Sequence, residues 1–346
     1  MTWIPLLLSD PSPNLRILVL KDLLHRPDDD DEIIELMKIR ESDPLIKSFL
    51  KTQLSDGSWS AIDIGDVRGT SGNLQATSQA LVRLGYLGFN TSNDSINRAV
   101  DYIFSKQKND GSWPIPKRKV RHGEEISNYD MMPLQTAIPL EGIAACGLAT
   151  DKRTEKAYEW LIKQRLDDGA WPTGTASGVY GGVGGYRRIP QSKWGCRSST
   201  IAVLNCFSYH PKRRRSPEAK KALDLILGHE TKQISTLGFV ISRLIGLEPS
   251  RGWITYYPKM DPAHILNLCW KIGASLDDDR VLELLNIVKN EQGEYGIWSC
   301  PIHPQASRWL TFDLLRTFSH LESSTEWFST QPRIPFQEYT KKMKRF

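Results

Sequence analysis

Two aspartates stand just before proline-containing helix starts: Asp130 in YDMMPLQTA and Asp261 in MDPAHIL. An aspartate there can cap a helix by accepting from backbone N–H groups. If the surroundings strip it of water, it can also keep its proton near neutral pH and act as a general acid. Tyr129 precedes Asp130, Tyr256 and Tyr257 lie shortly before Asp261, and His264 follows Asp261 by one turn. Trp194 and Trp309 lie at the starts of two further apolar stretches. Acids beside aromatic rings suit an apolar ligand whose cationic intermediates would be stabilised by ring faces. The glycine-rich stretch GVYGGVGGYRRIPQSKWGCR collects Arg187, Arg188, Lys193 and Arg197, which could clamp a phosphate or other anion; an ordinary surface loop is the other reading. Cys300 and His303 in WSCPIHP have the spacing of a half zinc site, but two prolines make a structural turn the simpler reading.

Whatever chemistry these residues do, repeated helical elements must position them. The chain reads QLSDGSW ending at Trp59, QKNDGSW ending at Trp113 and QRLDDGAW ending at Trp171, with a weaker copy, NEQGEYGIW, ending at Trp298. Each copy closes an amphipathic helical pattern such as INRAVDYIFSKQ or KAYEWLIKQ. Asp-Gly ends the helix, because glycine accepts the left-handed conformation of a C-terminal turn. The tryptophan then folds back over the helix ends, and the glutamine bonds loop backbone. These motifs read as staples between successive helical hairpins. Between them lie stretches apolar nearly all round, which marks inner helices: residues 74–88, 132–148, 196–210, 261–273 and 305–321, with SPNLRILVLKDLLH as a sixth. The acidic runs Asp28–Asp31 and Asp277–Asp279 precede amphipathic helices and read as helix caps. Alternating inner and outer helices predict an all-α fold, an (α/α)6 toroid with an incomplete last outer helix. The expected boundaries are one toroid domain over 1–322 and a C-terminal extension over 323–346.

With these repeats in hand, the chain resembles the squalene cyclase and protein prenyltransferase β-subunit superfamily, whose QW-type repeats join the helices of an α/α toroid. The layout is similar to prokaryotic single-domain members of that superfamily. The resemblance implies an enzyme acting on an isoprenoid in the central cavity by acid-initiated carbocation chemistry, cyclase-like or prenyltransferase-like. In the class II cyclases the acid is the middle Asp of a DxDD motif at the start of an inner helix. Asp28–Asp31 has that spacing but leads into an outer-type helix, so Asp261 and then Asp130 are the candidates. The transferases hold zinc through Asp, Cys and His; Cys300 and His303 are the only counterparts, and the family's Asp-x-Cys pairing is missing. No cofactor is therefore expected, with Mg²⁺ entering only for a diphosphate substrate. The alternative uses of such a toroid are carbohydrate cleavage, which wants paired carboxylates, or a non-catalytic binding ring.

Composition narrows the classes further. The 346 residues are 40% hydrophobic and 25% charged, ordinary for a globular protein, with a formal charge of +5. That mild basicity argues against a nucleic-acid partner and is compatible with contact at an anionic membrane surface. The five cysteines are an odd number without a CxxC pair, which predicts a reducing, cytoplasmic setting rather than a disulfide framework. No apolar run approaches the ~20 residues of a membrane span, and the start of the chain has no basic flank of the signal-peptide type. A monomer or homodimer is expected.

Overall fold

The computed structural model describes residues 3–64, 72–113, 133–173, 175–176, 179–180, 187–229, 231–249 and 259–323. Its helices are α1 (Trp3–Leu8), α2 (Pro13–Leu18), α3 (Asp31–Ile39), α4 (Pro44–Lys51), α5 (Asn73–Tyr86), α6 (Asp94–Ser105) and α7 (Pro133–Ile143). They continue as α8 (Lys152–Lys163), α9 (Arg197–Tyr209), α10 (Pro217–Leu227), α11 (Phe239–Leu244), α12 (Pro262–Ile272), α13 (Asp279–Asn290) and α14 (Ser307–Ser323). One departure from the all-helical expectation is a two-residue antiparallel ladder, β1 (Thr175–Ala176) with β2 (Val179–Tyr180).

The fold is all-α, as the alternation of apolar and amphipathic stretches requires. The inner helices α5, α7, α9, α12 and α14 pack in that order, each on the next, and α14 packs on the π-helical turn Val19–Leu23 that extends α2. Helices α7 and α9 bury nearly every residue, whereas α6, α8 and α13 bury one stripe and expose the rest. The acidic runs cap outer helices: Asp30 accepts from Glu32 N at 3.0 Å and Asp278 from Arg280 N at 2.9 Å. Of the extension expected over 323–346, Ser323 is the last residue of α14 and residues 324–346 lie outside the described residues.

The staples recur with one geometry. The indole nitrogen of each tryptophan donates to the carbonyl ten residues earlier, near the end of the preceding outer helix: Trp59 to Phe49, Trp113 to Ile103, Trp171 to Leu161 and Trp298 to Val288, at 2.6–3.0 Å. Each tryptophan backbone N–H donates to a threonine hydroxyl on the following inner helix: Thr77, Thr136, Thr200 and Thr311, at 2.9–3.2 Å. Gln53 and Gln107 donate both to the loop carbonyls of Gly57 and Gly111 and to Ser95 and Arg153 on the next outer helix. One motif thus ties two outer helices and one inner helix together. In the third copy Arg165, not Gln164, occupies the glutamine position, its Nε donating to Gly169 O at 3.3 Å; the extra residue in QRLDDGAW shifts the register. Gly111 has φ +94°, and a Cβ there would stand 2.4 Å from Lys156 O, so both the turn and the approach of α8 demand glycine.

Candidate active site

The staple threonines set the register of a cavity enclosed by the inner helices. Five residues beyond each threonine the helices present Val82, Glu141, Asn205 and Arg316, and all four line this cavity. Four residues further on, α5 and α9 add Tyr86 and Tyr209. Helix α12 contributes His264, Asn267 and Lys271, its capping residue Asp261 joins them, and α14 adds Asp313. The space open to water is about 50 Å³, room for about four water molecules. Among the described residues this is a small chamber whose wall carries acids and bases.

The chamber is small because a segment fills the ring. Helix α11, between outer α10 and inner α12, packs against α5 and α14 and buries Phe239, Ile241, Ser242 and Arg243. Val240, Ile241, Arg243 and Leu244 form part of the chamber wall. Gly238 and Gly246, at its two ends, have φ +80° and +85° and lie against Cys300 and Leu310 on one side and Arg83 on the other. The run FVISRL is too short to be read as an inner helix from its pattern, so its place inside the ring is a tertiary fact.

Asp261 holds this segment. Its Oδ1 accepts from Ala263 N and Gly238 N, both at 3.1 Å, and its Oδ2 from Val240 N at 2.8 Å. It therefore caps α12, as an aspartate before proline should, and at the same time clasps the start of α11. Only 2% exposed, its carboxyl is pushed up to about 6 by burial, against the three backbone donors that favour the charged form, with Asp313 adding to the rise. His264 is pushed down to about 3, by burial first and then by the Lys271 charge. Lys271 is pushed down to about 8, by burial and then by Arg316, with Asp313 and Glu141 acting in opposition.

The remaining cavity charges are mutually engaged. Arg316 donates to Asp22 at 3.0 Å and to Asp313 at 2.5 Å. Burial disfavours its charge, but Asp313, Tyr86 and Asp22 more than offset that and hold it above its ordinary value. Asn205 donates to Glu141 at 3.1 Å. Tyr86 is held well above its ordinary value by burial, reinforced by Asp313.

The other residues proposed from sequence fall elsewhere. Asp130, Tyr129, Tyr256 and Tyr257 lie outside the described residues. Trp309 is buried against Tyr86, ring centroids 6.2 Å apart, and is not on the chamber wall. Arg187, Arg188, Lys193, Trp194 and Arg197 are also absent from that wall. Arg188 instead donates to Ser192 O at 3.3 Å, Arg197 Nη1 lies 3.4 Å from His229 Nε2, and the Lys193 ammonium lies 5.5 Å from the Trp194 ring. Their neighbour Ser192 bonds Asp168 of the third staple at 2.5 Å. Cys300 and His303 both hold the α11 segment: the thiol is 3.4 Å from Ser242 Oγ, and His303 Nε2 is 2.9 Å from Glu248. Among the described residues no three His, Cys, Asp or Glu side chains group as a metal site. Sequence reasoning missed the four threonines, Glu141, Lys271 and Arg316. The repeat-to-threonine spacing varies too much to be seen as a motif, and lone charges in apolar stretches carry no pattern.

A family model described as the squalene-hopene cyclase C-terminal domain matches residues 33–184. Squalene–hopene cyclase of Zymomonas mobilis is 28% identical over 155 residues, which is 43% of this chain and 22% of the relative. The match thus spans about a fifth of that relative's length. Among solved structures, the ligand-free type II terpene cyclase from Scytonema aligns at 15% identity and TM-score 0.47, covering 81% of this chain and 73% of that one. Its variant in complex with the substrate geranylgeranyl dihydroxybenzoate aligns at 15% identity and TM-score 0.46, covering 79% and 69%. No helix among the described residues is long and apolar enough to cross a membrane. Over residues 33–184, the segment that carries its first three staples, this chain is similar to the squalene-hopene cyclase C-terminal domain.

Proposed function

We propose that the chain is a terpene cyclase-like enzyme that closes rings in a linear isoprenoid, with Asp261 as the proton donor. The observation that carries this reading is the buried Asp261 carboxyl on the cavity wall, pushed up to about 6. A carboxyl whose affinity for its proton is raised towards neutrality is what alkene protonation needs. The superfamily relationship supports the substrate class.

A chamber of about 50 Å³ cannot take a chain of fifteen or more carbons, so α11 must leave the ring for such a substrate to enter. Withdrawal of α11 takes the Gly238 and Val240 N–H groups away from Asp261. Those bonds favour the carboxylate, so their loss favours the protonated acid. The Asp261 proton then passes to an alkene carbon, the π electrons of successive double bonds form the ring bonds, and loss of a proton to water ends the reaction. His264, held neutral by burial, and the Tyr86 and Tyr209 rings form the adjacent wall.

The test is product analysis after incubation with squalene, farnesol and geranylgeraniol. A cyclised product that disappears in Asp261→Asn is the expected result. Full activity in Asp261→Asn would remove Asp261 from the mechanism, and no turnover of any isoprenoid would remove the reading. The charged wall and the filled ring favour a second reading, a non-catalytic binding ring, for which binding without turnover is the signature.

A further inference from the structure

We infer that the chamber is built to receive an oxyanion, in the first instance a carboxylate, on Lys271 of α12 and Tyr86 of α5. The carboxylates around the chamber already have donors. Asp261 accepts three backbone N–H groups, Asp313 and Asp22 share Arg316, and Glu141 accepts from the Asn205 amide. Donors are left over. Lys271 makes no hydrogen bond or ion pair among the described residues; its ammonium lies 5.0 Å from the Tyr209 ring centroid and 6.0 Å from that of Trp270. The buried Tyr86 hydroxyl has no hydrogen-bond partner, nor has Arg316 Nε.

A half-buried cation on the chamber wall, a buried hydroxyl and a buried guanidinium N–H without acceptors are each costly. One ligand bearing two or three acceptor oxygens satisfies such a set, because a carboxylate accepts from several donors at once and only an anion answers the ammonium. The chamber's size admits such a group: about 50 Å³ suits a carboxylate with a short stem. The group could belong to a small free acid or be the head of a longer apolar molecule whose tail lies beyond α11. The inference stands on the donor set alone. Binding measures it whether or not the protein turns over an isoprenoid.

The experiment is titration calorimetry on the full chain at constant ionic strength, with chloride as the balancing anion. Acetate, farnesoate and farnesol are the probes. Both carboxylates, or one of them, should bind, while Lys271→Met weakens that binding about tenfold or more and Lys271→Arg largely keeps it. Tyr86→Phe should weaken it several-fold, and this variant keeps the test open if Lys271→Met fails to fold. Binding of acetate by itself identifies a small free acid; farnesoate bound far more tightly than acetate and farnesol identifies the head of a prenyl chain. Equal binding of farnesoate and farnesol, or carboxylate binding untouched by Lys271→Met and Tyr86→Phe, overturns the inference. So does the absence of any carboxylate heat above chloride.

Discussion

At the scale of single residues, Asp261 and His264 oppose one another. The Asp261 carboxyl is pushed up to about 6, so between its unfolded value near 4 and 6 the folded state holds more protons than the unfolded state. Stability from this group is complete at low pH and is lost as pH rises through 6, by up to about 3 kcal/mol. His264 is pushed down to about 3, so from about 6.5 down to 3 the unfolded state holds more protons, and stability is lost as pH falls. The two slopes cancel in part in the native protein. Urea titrations at several pH values should therefore show a steeper acid-side loss in Asp261→Asn. His264→Gln should show the reverse, a stability that declines as pH rises from 4 to 6. Parallel pH profiles in all three proteins would mean that neither group titrates in the chamber. The Asp261 residue was legible in the sequence as a helix start, and its capping role follows from the proline after it. Its two further backbone donors, Gly238 and Val240 at the start of α11, were not legible.

At the scale of elements, the staple is a unit of two hydrogen bonds and one buried indole. The tryptophan side chain holds the outer helix, and its backbone N–H holds the inner helix through a threonine hydroxyl. Replacing that threonine by valine keeps the shape and leaves a buried N–H without an acceptor, a cost of about 1–3 kcal/mol. Thr77→Val, Thr136→Val, Thr200→Val and Thr311→Val should each lower the urea midpoint by comparable amounts. A series in which only one of them matters would break the equivalence of the four repeats. Helix α11 has a different kind of hold, on Asp261, Cys300 and His303. The 3.4 Å between Ser242 Oγ and Cys300 Sγ places the two side chains within reach of a disulfide in Ser242→Cys. Oxidation should lock α11 in the ring, abolishing isoprenoid uptake, and dithiothreitol should restore it. Uptake by the oxidised, verified disulfide would show that α11 is no barrier.

At the scale of the whole molecule, the first and last helical elements meet. Arg316 on α14 reaches Asp22, and Arg308 lies 3.4 Å from Asp10, so charges nearly 300 residues apart in sequence join the two ends of the chain. Arg316 and Asp313 are mostly buried, and removing one partner of a buried pair strands the other charges. Arg316→Met should cost about 3–5 kcal/mol, seen as a loss of cooperative unfolding midpoint in urea. A change below about 1 kcal/mol would place this contact with ordinary surface ion pairs.

The repeats and the alternation of apolar and amphipathic stretches determined the helical hairpins, their order and the staples between them, because each of these depends on contacts within about sixty residues of one another. The similarity to the squalene-hopene cyclase C-terminal domain over residues 33–184 was legible for the same reason. The site was legible only as one acid and a few helix starts. What the tertiary structure decided is which inner-helix residues face one another. Val82, Glu141, Asn205 and Arg316 share no sequence pattern, and only the equivalent staple bonds bring them to one wall. It also decided that the short run FVISRL enters the ring, since a six-residue helix has no periodicity to announce its place and is held there by distant side chains. The residues that chemistry would use thus depend on long-range packing, whereas the staples between successive hairpins do not; only the closure of the first helical elements on the last needs contacts across nearly the whole sequence.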